Sequence, residues 1–217
     1  MSIFTDILVI IFLFSLFAVS HSLLAAFNVK EKITNKVGNK IAFYRLFFNI
    51  VSIFIFIAIY ELSPKPSVII YDLQFPYDII IFIIQILGLI GIIWVSFYID
   101  MKEFLGITQI KRYFNGKYSL EDLDEKQELH IQGPFKYSRH PIYFYSIIFL
   151  GCRPEMDLFY FVFFICMVIY FYIGSIFEEK NLEKKFGKLY SEYKKNVPRL
   201  IPNPFKSYNI ATENYEN

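Results

Sequence analysis

The feature that most constrains this chain is a series of near-continuous apolar runs, each about as long as a bilayer is thick. They extend from Ile7 to Phe27, Ile41 to Tyr60, Ile79 to Ile99 and Leu158 to Phe177. A hydrocarbon core of about 30 Å asks for about 20 apolar residues in helical form, and each run supplies them. A soluble domain would interrupt such runs with polar positions at the period of a helix or strand. Instead 55% of the residues are hydrophobic and 20% aromatic, with a mean hydropathy of +0.41. A shorter run, Pro141 to Cys152, cannot cross alone at about 1.5 Å per residue. It is followed by the polar turn Arg153-Pro154-Glu155-Met156-Asp157, so with Leu158–Phe177 it reads as a helical hairpin whose first limb is short. The expected fold is all-α: an integral membrane helical bundle of about five spans with a cytoplasmic C-terminal amphipathic helix.

Between the spans, Pro64, Pro66 and Pro76 forbid a continuous helix, because each proline breaks the hydrogen-bond ladder. The stretch Met101–Arg139 is polar enough to lie outside the hydrocarbon. After the last span, Leu182, Phe186, Leu189 or Tyr190, and Tyr193 recur at helical spacing, with Lys184, Lys185, Lys188 and Lys194 between them. Pro198, Pro202 and Pro204 end that helix. The first basic residue is Lys30, so the N-terminal run lacks a signal peptide's positive start and reads as a retained span.

Basic residues set the expected orientation. Asn28–Arg45, Met101–His140 and the tail after Phe177 hold 20 of them, against 2 in the remaining turns, Lys65 and Arg153. Cytoplasmic loops are the ones that retain Lys and Arg, which puts the N-terminus outside and the C-terminus in the cytoplasm. The net charge is only +2, and no Lys/Arg block is interleaved with aromatics, so no nucleic-acid partner is expected. Cys152 and Cys166 form no disulfide framework and have no zinc-type spacing, and no metal is expected.

Two features could carry chemistry. Arg139-His140-Pro141 stands where the polar segment enters the membrane. The residue before a proline is pushed towards extended geometry while proline suits a first helical turn, so His140 belongs at a helix start with its ring turned to a cavity. The plainer alternative is an interfacial anchor, with Arg139 snorkelling to headgroups. Glu178-Glu179 stands at the end of the last span, where the plainer reading is a carboxylate pair that just terminates the apolar run. A cationic cofactor at the interface needs a carboxylate, a polar clamp and a low-dielectric wall. His140, Glu178 and the aromatics Phe135, Tyr137 and Tyr143 could supply them.

Gly133-Pro134-Phe135-x-x-x-Arg139-His140-Pro141-x-Tyr143, then Glu178-Glu179-x-x-Leu182-x-x-x-Phe186-Gly187-x-x-Tyr190-x-x-Tyr193, then Val197-Pro198-Arg199-Leu200-Ile201-Pro202, resembles the signature of the isoprenylcysteine carboxyl methyltransferase superfamily of integral membrane methyltransferases. Phospholipid methyltransferases share the pattern, and some membrane sterol reductases end similarly. The first half narrows the likeness. His21-Ser22-Leu23-Leu24-Ala25, Tyr44-Arg45-Leu46-Phe47-Phe48-Asn49, Phe104-Leu105-Gly106-Ile107-Thr108-Gln109 and Arg153-Pro154-Glu155-Met156 resemble the branch of methanethiol S-methyltransferases and NnrU-like proteins.

This resemblance implies one methyltransferase-like domain over 1–217, with three spans in 1–100 and the cofactor-binding region, hairpin and tail in 101–217. It implies S-adenosyl-L-methionine held by Leu129, His130, Phe135, His140, Pro141, Tyr143 and Glu178, with Glu179 the lesser of the pair. Carboxyl methyltransferases carry an arginine one turn before the glutamates, where this chain has Gly174. A small lipophilic acceptor, a thiol such as methanethiol, is favoured over a carboxylate. A thiol must become a thiolate to attack. Arg45 and Arg139 are the candidates to favour that anion, and His21 the candidate to accept the proton. The rival readings are an isoprenylcysteine or other lipid methyltransferase, a non-catalytic NnrU-like membrane protein, and a nicotinamide-dependent sterol reductase. The oligomeric state is unknown from sequence.

Overall fold

The computed structural model describes residues 2–120, 123 and 128–203. Pro204 and the rest of the tail lie outside the described residues. The chain divides into two compact units, the first comprising Met1–Asp72, Asp100–Glu128 and Glu155–Met167, and the second Leu73–Ile99, Leu129–Pro154 and Val168–Asn217.

In the first unit, α1 (Ile3–Ala25) opens with Ser2, whose Oγ accepts the Thr5 amide at 3.2 Å and so caps the helix. It ends where Ala26 turns extended, and α2 (Phe27–Val37) follows. A 3₁₀ segment, Gly38–Phe43, leads into α3 (Tyr44–Leu62). Aromatic edges knit these apolar helices together: Phe14 meets Phe163 at 5.2 Å, Phe17 meets Phe56 at 5.3 Å, and Phe56 meets Phe163 at 5.5 Å. Edge-to-face pairs of this kind stabilise beyond the area they bury. Two short helices, α5 (Met101–Leu105) and α6 (Ile107–Phe114), also belong to this unit, as does the start of the last helix, which carries Phe163. The proline-bearing loop and the turn after Cys152 supply what periodicity did not predict, a two-stranded antiparallel ribbon of β1 (Ile69–Asp72) and β2 (Glu155–Asp157).

The second unit is built on α4 (Tyr77–Ser96), α7 (Pro141–Gly151) and the later part of α8 (Leu158–Asn196). Gly88 and Gly91 allow α4 to lie against α7. A Cβ on Gly91 would fall 2.1 Å from the Tyr145 ring, and one on Gly88 would fall 2.8 Å from the Phe149 amide nitrogen. Small residues let apolar helices approach closely where the lipid offers no hydrophobic driving force. Gln85 Nε2 donates to the Phe149 carbonyl at 3.0 Å across the same seam.

Four helical stretches are long and apolar enough to cross a membrane among the described residues: Ile3–Ala25, Phe27–Leu62, Tyr77–Ser96 and Leu158–Asn196. The fifth, α7, has 11 residues, which agrees with the short limb expected from sequence. The protein is an all-α integral membrane protein with a minor ribbon. One feature of α8 escaped the periodicity argument. Gly187 interrupts it at φ +52° and ψ −123°, a backbone region closed to residues with a Cβ.

Candidate functional site at the start of α7

Pro141 opens α7, and His140 before it stands at φ −125° and ψ 61°, outside the helical region but short of the extended geometry expected there. Proline disfavours the α region for the residue before it, and His140 avoids that region. The segment leading in is clamped by the chain's own tail. The Arg139 amide donates to Pro198 O at 2.9 Å, the His140 amide to Arg199 O at 3.0 Å, and the Asn203 amide to Tyr137 O at 3.1 Å. Ser138 Oγ, fully buried, stands 3.1 Å from Arg199 O and 2.9 Å from Leu200 O. Residues 198–203 are thus a strap laid along residues 137–140.

Glu179 is 1% exposed and lies at the centre of a cluster of cations. Arg139 Nε and Nη2 reach its Oε1 at 2.9 and 2.8 Å. Arg199 spans both oxygens, Nε to Oε1 and Nη2 to Oε2, each at 3.1 Å. Lys194 Nζ is 3.6 Å from Oε2, and His140 Nε2 is 3.3 Å from Oε1. Arg139 also caps the end of α8 through Nη1, donating to the carbonyls of Lys194 and Val197. Burial alone would raise the Glu179 pKa. The hydrogen bonds from His140, Arg199 and Arg139 outweigh it and hold the carboxyl well below the usual carboxylate range.

Glu178, its neighbour, is half-exposed and keeps different company. Tyr143 Oη donates to its Oε2 at 3.1 Å, and His140 Nδ1 stands 3.5 Å from the same oxygen. Both ring nitrogens of His140 therefore face carboxylates, which only the protonated ring can satisfy as a donor at each. Burial lowers the His140 pKa, but the hydrogen bonds and charges of Glu178 and Glu179 raise it by more, and the net shift is upward. The ring stacks on Tyr143 at 5.3 Å with an interplanar angle of 2°, and Tyr143 stacks on Phe171 at 5.0 Å and 9°. Gly174, one turn before Glu178, has open space where its Cβ would stand.

Of the other residues singled out in the sequence, Leu129 packs against the buried Tyr190, Tyr193 and Val197. The His130 ring lies 5.6 Å from Phe135, whose carbonyl accepts from Tyr193 Oη at 2.6 Å. All of these belong to the second unit. His21 and Arg45 belong to the first. Ser52 Oγ donates to Phe48 O at 2.7 Å, so in the His21–Ser52 bond of 2.9 Å the imidazole Nδ1 is the donor. The buried Arg45 donates through Nε to Phe104 O at 3.0 Å, its guanidinium over the Phe104 ring at 5.1 Å and the Phe48 ring at 5.7 Å. Sequence reasoning assigned no part to Arg199, Lys194, Ser138, Phe171 or Tyr190. The Val-Pro-Arg and Tyr-x-x-Tyr stretches were visible as motifs, but their partners lie far away along the chain. Among the described residues no group of His, Cys, Asp and Glu side chains could hold a metal.

The phospholipid methyltransferase family model matches residues 83–189, which hold both the His140 segment and the glutamate pair. The chain is 28% identical to methanethiol S-methyltransferase 1 of Bradyrhizobium diazoefficiens over 200 residues, 90% of this chain and 67% of that one. It is 26% identical to the methanethiol S-methyltransferase of Crocosphaera subtropica, over 93% of this chain and 76% of that one. It is 25% identical to the Mycobacterium tuberculosis enzyme of that name, over 89% and 77% respectively. No solved structure matches it. With that likeness over most of its length and the family match across the clamped His140 segment, the chain is similar to the phospholipid methyltransferases and, along most of its length, to the methanethiol S-methyltransferases.

Proposed function

We propose that the protein is an S-adenosylmethionine-dependent S-methyltransferase whose acceptor is a small thiol such as methanethiol. The observation that carries the cofactor reading is the division of labour between Glu178 and Glu179. Bound S-adenosylmethionine supplies a methyl group made electrophilic by a positively charged sulfur. Glu179 is already matched by cations, whereas Glu178 is half-exposed, and the Tyr143 and His140 contacts both fall on its Oε2. A carboxylate beside stacked aromatic rings suits a cation with an apolar periphery. Glu178 would hold the charge, Tyr143 would fix the carboxylate, and Leu129, His130, Phe135 and Pro141 would wall the cofactor. His140 would set the charge that Glu178 offers. With its guanidinium engaged by Glu179 and two carbonyls, Arg139 is assigned a positioning part. Alignment of nucleophile and methyl carbon can supply about 7–11 kcal/mol of the acceleration in well-oriented cases.

Likeness to proteins named methanethiol S-methyltransferase over 90% and 93% of the chain supports the thiol acceptor, as does the glycine at position 174. The phospholipid methyltransferase match favours a lipid acceptor as the second reading. Purified protein with radiolabelled S-adenosylmethionine, offered methanethiol, acetylated farnesylcysteine or phosphatidylethanolamine at equal concentration, separates them. Methanethiol should accept fastest. Faster lipid or carboxyl methylation would replace the thiol reading, and no transfer together with NADPH binding would replace the methyltransferase reading.

The basic loops support an N-terminus outside and a C-terminus in the cytoplasm. A Thr212→Cys variant should then resist membrane-impermeant thiol reagents in intact cells, and rapid labelling would reverse the orientation.

A further inference from the structure

Among its described residues the second unit buries the Tyr190 hydroxyl without using it. Tyr190 is 1% exposed, and its Oη has no hydrogen-bond partner among the described residues. Three residues on, Tyr193 is equally buried, yet its Oη donates to the Phe135 carbonyl at 2.6 Å. A buried hydroxyl left unmatched costs about 1–3 kcal/mol, and phenylalanine would fill the same space without that cost. A tyrosine maintained at this price asks for a ligand.

Its surroundings say which. The Tyr190 side chain packs in a cluster with Leu129, Ile131, Leu182 and Phe186, and its phenol lies within electrostatic reach of Glu178, Glu179 and Arg139. Burial raises its pKa first and the nearby carboxylates raise it further, so the group is a neutral hydroxyl able to donate. Leu129 and Ile131, packed against this cluster, come from a stretch that forms neither helix nor strand, so that part of its cover is not helical.

We infer that Tyr190 is a further cofactor-binding residue, its hydroxyl donating a hydrogen bond to a polar atom of the bound nucleoside or amino-acid part of S-adenosylmethionine. This rests on the cofactor reading of the same site. The bond is independent of the sulfonium charge, so it holds the neutral product as well as the cationic cofactor.

The test is calorimetric binding of S-adenosylhomocysteine to purified wild type, Tyr190→Phe and Tyr193→Phe, with thermal unfolding of each protein without ligand. Tyr190→Phe should bind about three- to tenfold more weakly, as loss of a neutral hydrogen bond predicts. Its unfolding temperature should equal or exceed that of wild type, because no protein bond is lost. Tyr193→Phe should unfold at a lower temperature, which shows that the assay registers a lost structural bond. Wild-type affinity in Tyr190→Phe would overturn the inference while leaving the cofactor reading intact. A fall in the unfolding temperature of ligand-free Tyr190→Phe would also overturn it, since the hydroxyl would then have a structural partner. If wild type itself binds neither S-adenosylhomocysteine nor S-adenosylmethionine, the cofactor reading fails and takes this inference with it.

Discussion

Between Glu178 and Glu179 the helix turns through about 100°, and the two sides of α8 that result are built on opposite principles. On the Glu179 side everything is closed. One buried carboxylate collects Arg139, Arg199, Lys194 and His140, and the strap of residues 198–203 is bound backbone to backbone along residues 137–140. On the Glu178 side the carboxylate is half-exposed, the rings of His140, Tyr143 and Phe171 lie parallel, and Gly174 leaves room below. The same residue type, repeated once, gives a fixed anchor and an available charge. A site that must hold a cation needs both, because an available carboxylate is useful only where its frame does not move.

The largest expected effect breaks the closed side. Glu179→Ala strands two arginines, and removing one partner of a buried ion pair costs about 3–5 kcal/mol. Thermal unfolding in detergent should fall by many degrees, and amide exchange across residues 198–203 should accelerate. Because the folded Glu179 pKa is depressed, its stabilisation is present above the ordinary carboxylate range and is lost as pH falls towards the depressed value. Wild-type stability should therefore drop on acidification by more than that of a Glu179→Gln protein. Unchanged exchange in the strap would mean that the cluster is not what holds it.

The open side should respond in the opposite way. Glu178→Ala should leave unfolding nearly unchanged and weaken S-adenosylmethionine binding roughly ten- to a hundredfold, the range for a hydrogen bond to a charged group. Equal affinity would move the cation elsewhere. A variant that also loses several degrees of stability would place Glu178 in the frame and erase the contrast between the two sides.

That contrast was only partly legible in the sequence. The apolar runs foretold the spans and the short limb of α7 because hydrocarbon thickness fixes helix length, and Pro141 foretold a helix start, although His140 before it stops short of the extended geometry expected there. Glu178 and Glu179, however, are chemically identical letters. Their fates differ because Arg139 lies 40 positions away along the chain and Arg199 lies 20, and spacing assigns a face to a residue without naming what meets it. The ribbon of Ile69–Asp72 with Glu155–Asp157 was hidden for the same reason. Gly187 was hidden by its neighbours, since the residues on either side keep helical periodicity through a break that only the backbone angles reveal.

His140 lies between the two sides, and its titration sharpens the comparison. Its pKa is raised in the fold, so its stabilising contribution is complete below its ordinary value of about 6.5 and is lost as pH rises through the raised one. The charged groups facing it are Glu178 and Glu179, with the Tyr143 phenol stacked on its ring. As the imidazolium loses its proton, stability should decline slightly while Glu178 becomes more available to another cation. The ratio of S-adenosylmethionine to S-adenosylhomocysteine affinity should rise with pH by roughly two- to fivefold, the size of an exposed ion pair. His140→Gln should flatten that ratio. A ratio independent of pH in wild type would show that His140 and the cofactor do not share Glu178.

The smallest effect tests whether the open side is open. Gly174 lies in the helix with no positive φ to excuse it, and a Cβ built there has nothing within 4 Å. Glycine inside a helix is less favourable than alanine by about 1 kcal/mol, so a packing argument would have replaced it. The open space there would suit a ligand beside Glu178 and Phe171. Gly174→Ala should therefore unfold at the same temperature as wild type or up to a few degrees higher, with methyl transfer to methanethiol nearly unchanged. Gly174→Leu should fold as well, but it should lower kcat/KM for a bulky acceptor more than for methanethiol, because only the larger molecule needs the space. Equal losses for both acceptors would place the cofactor rather than the acceptor over Gly174. A loss of stability in Gly174→Ala would show that the space is filled in the folded protein, and the distinction between a closed and an open side of α8 would then rest on charge alone.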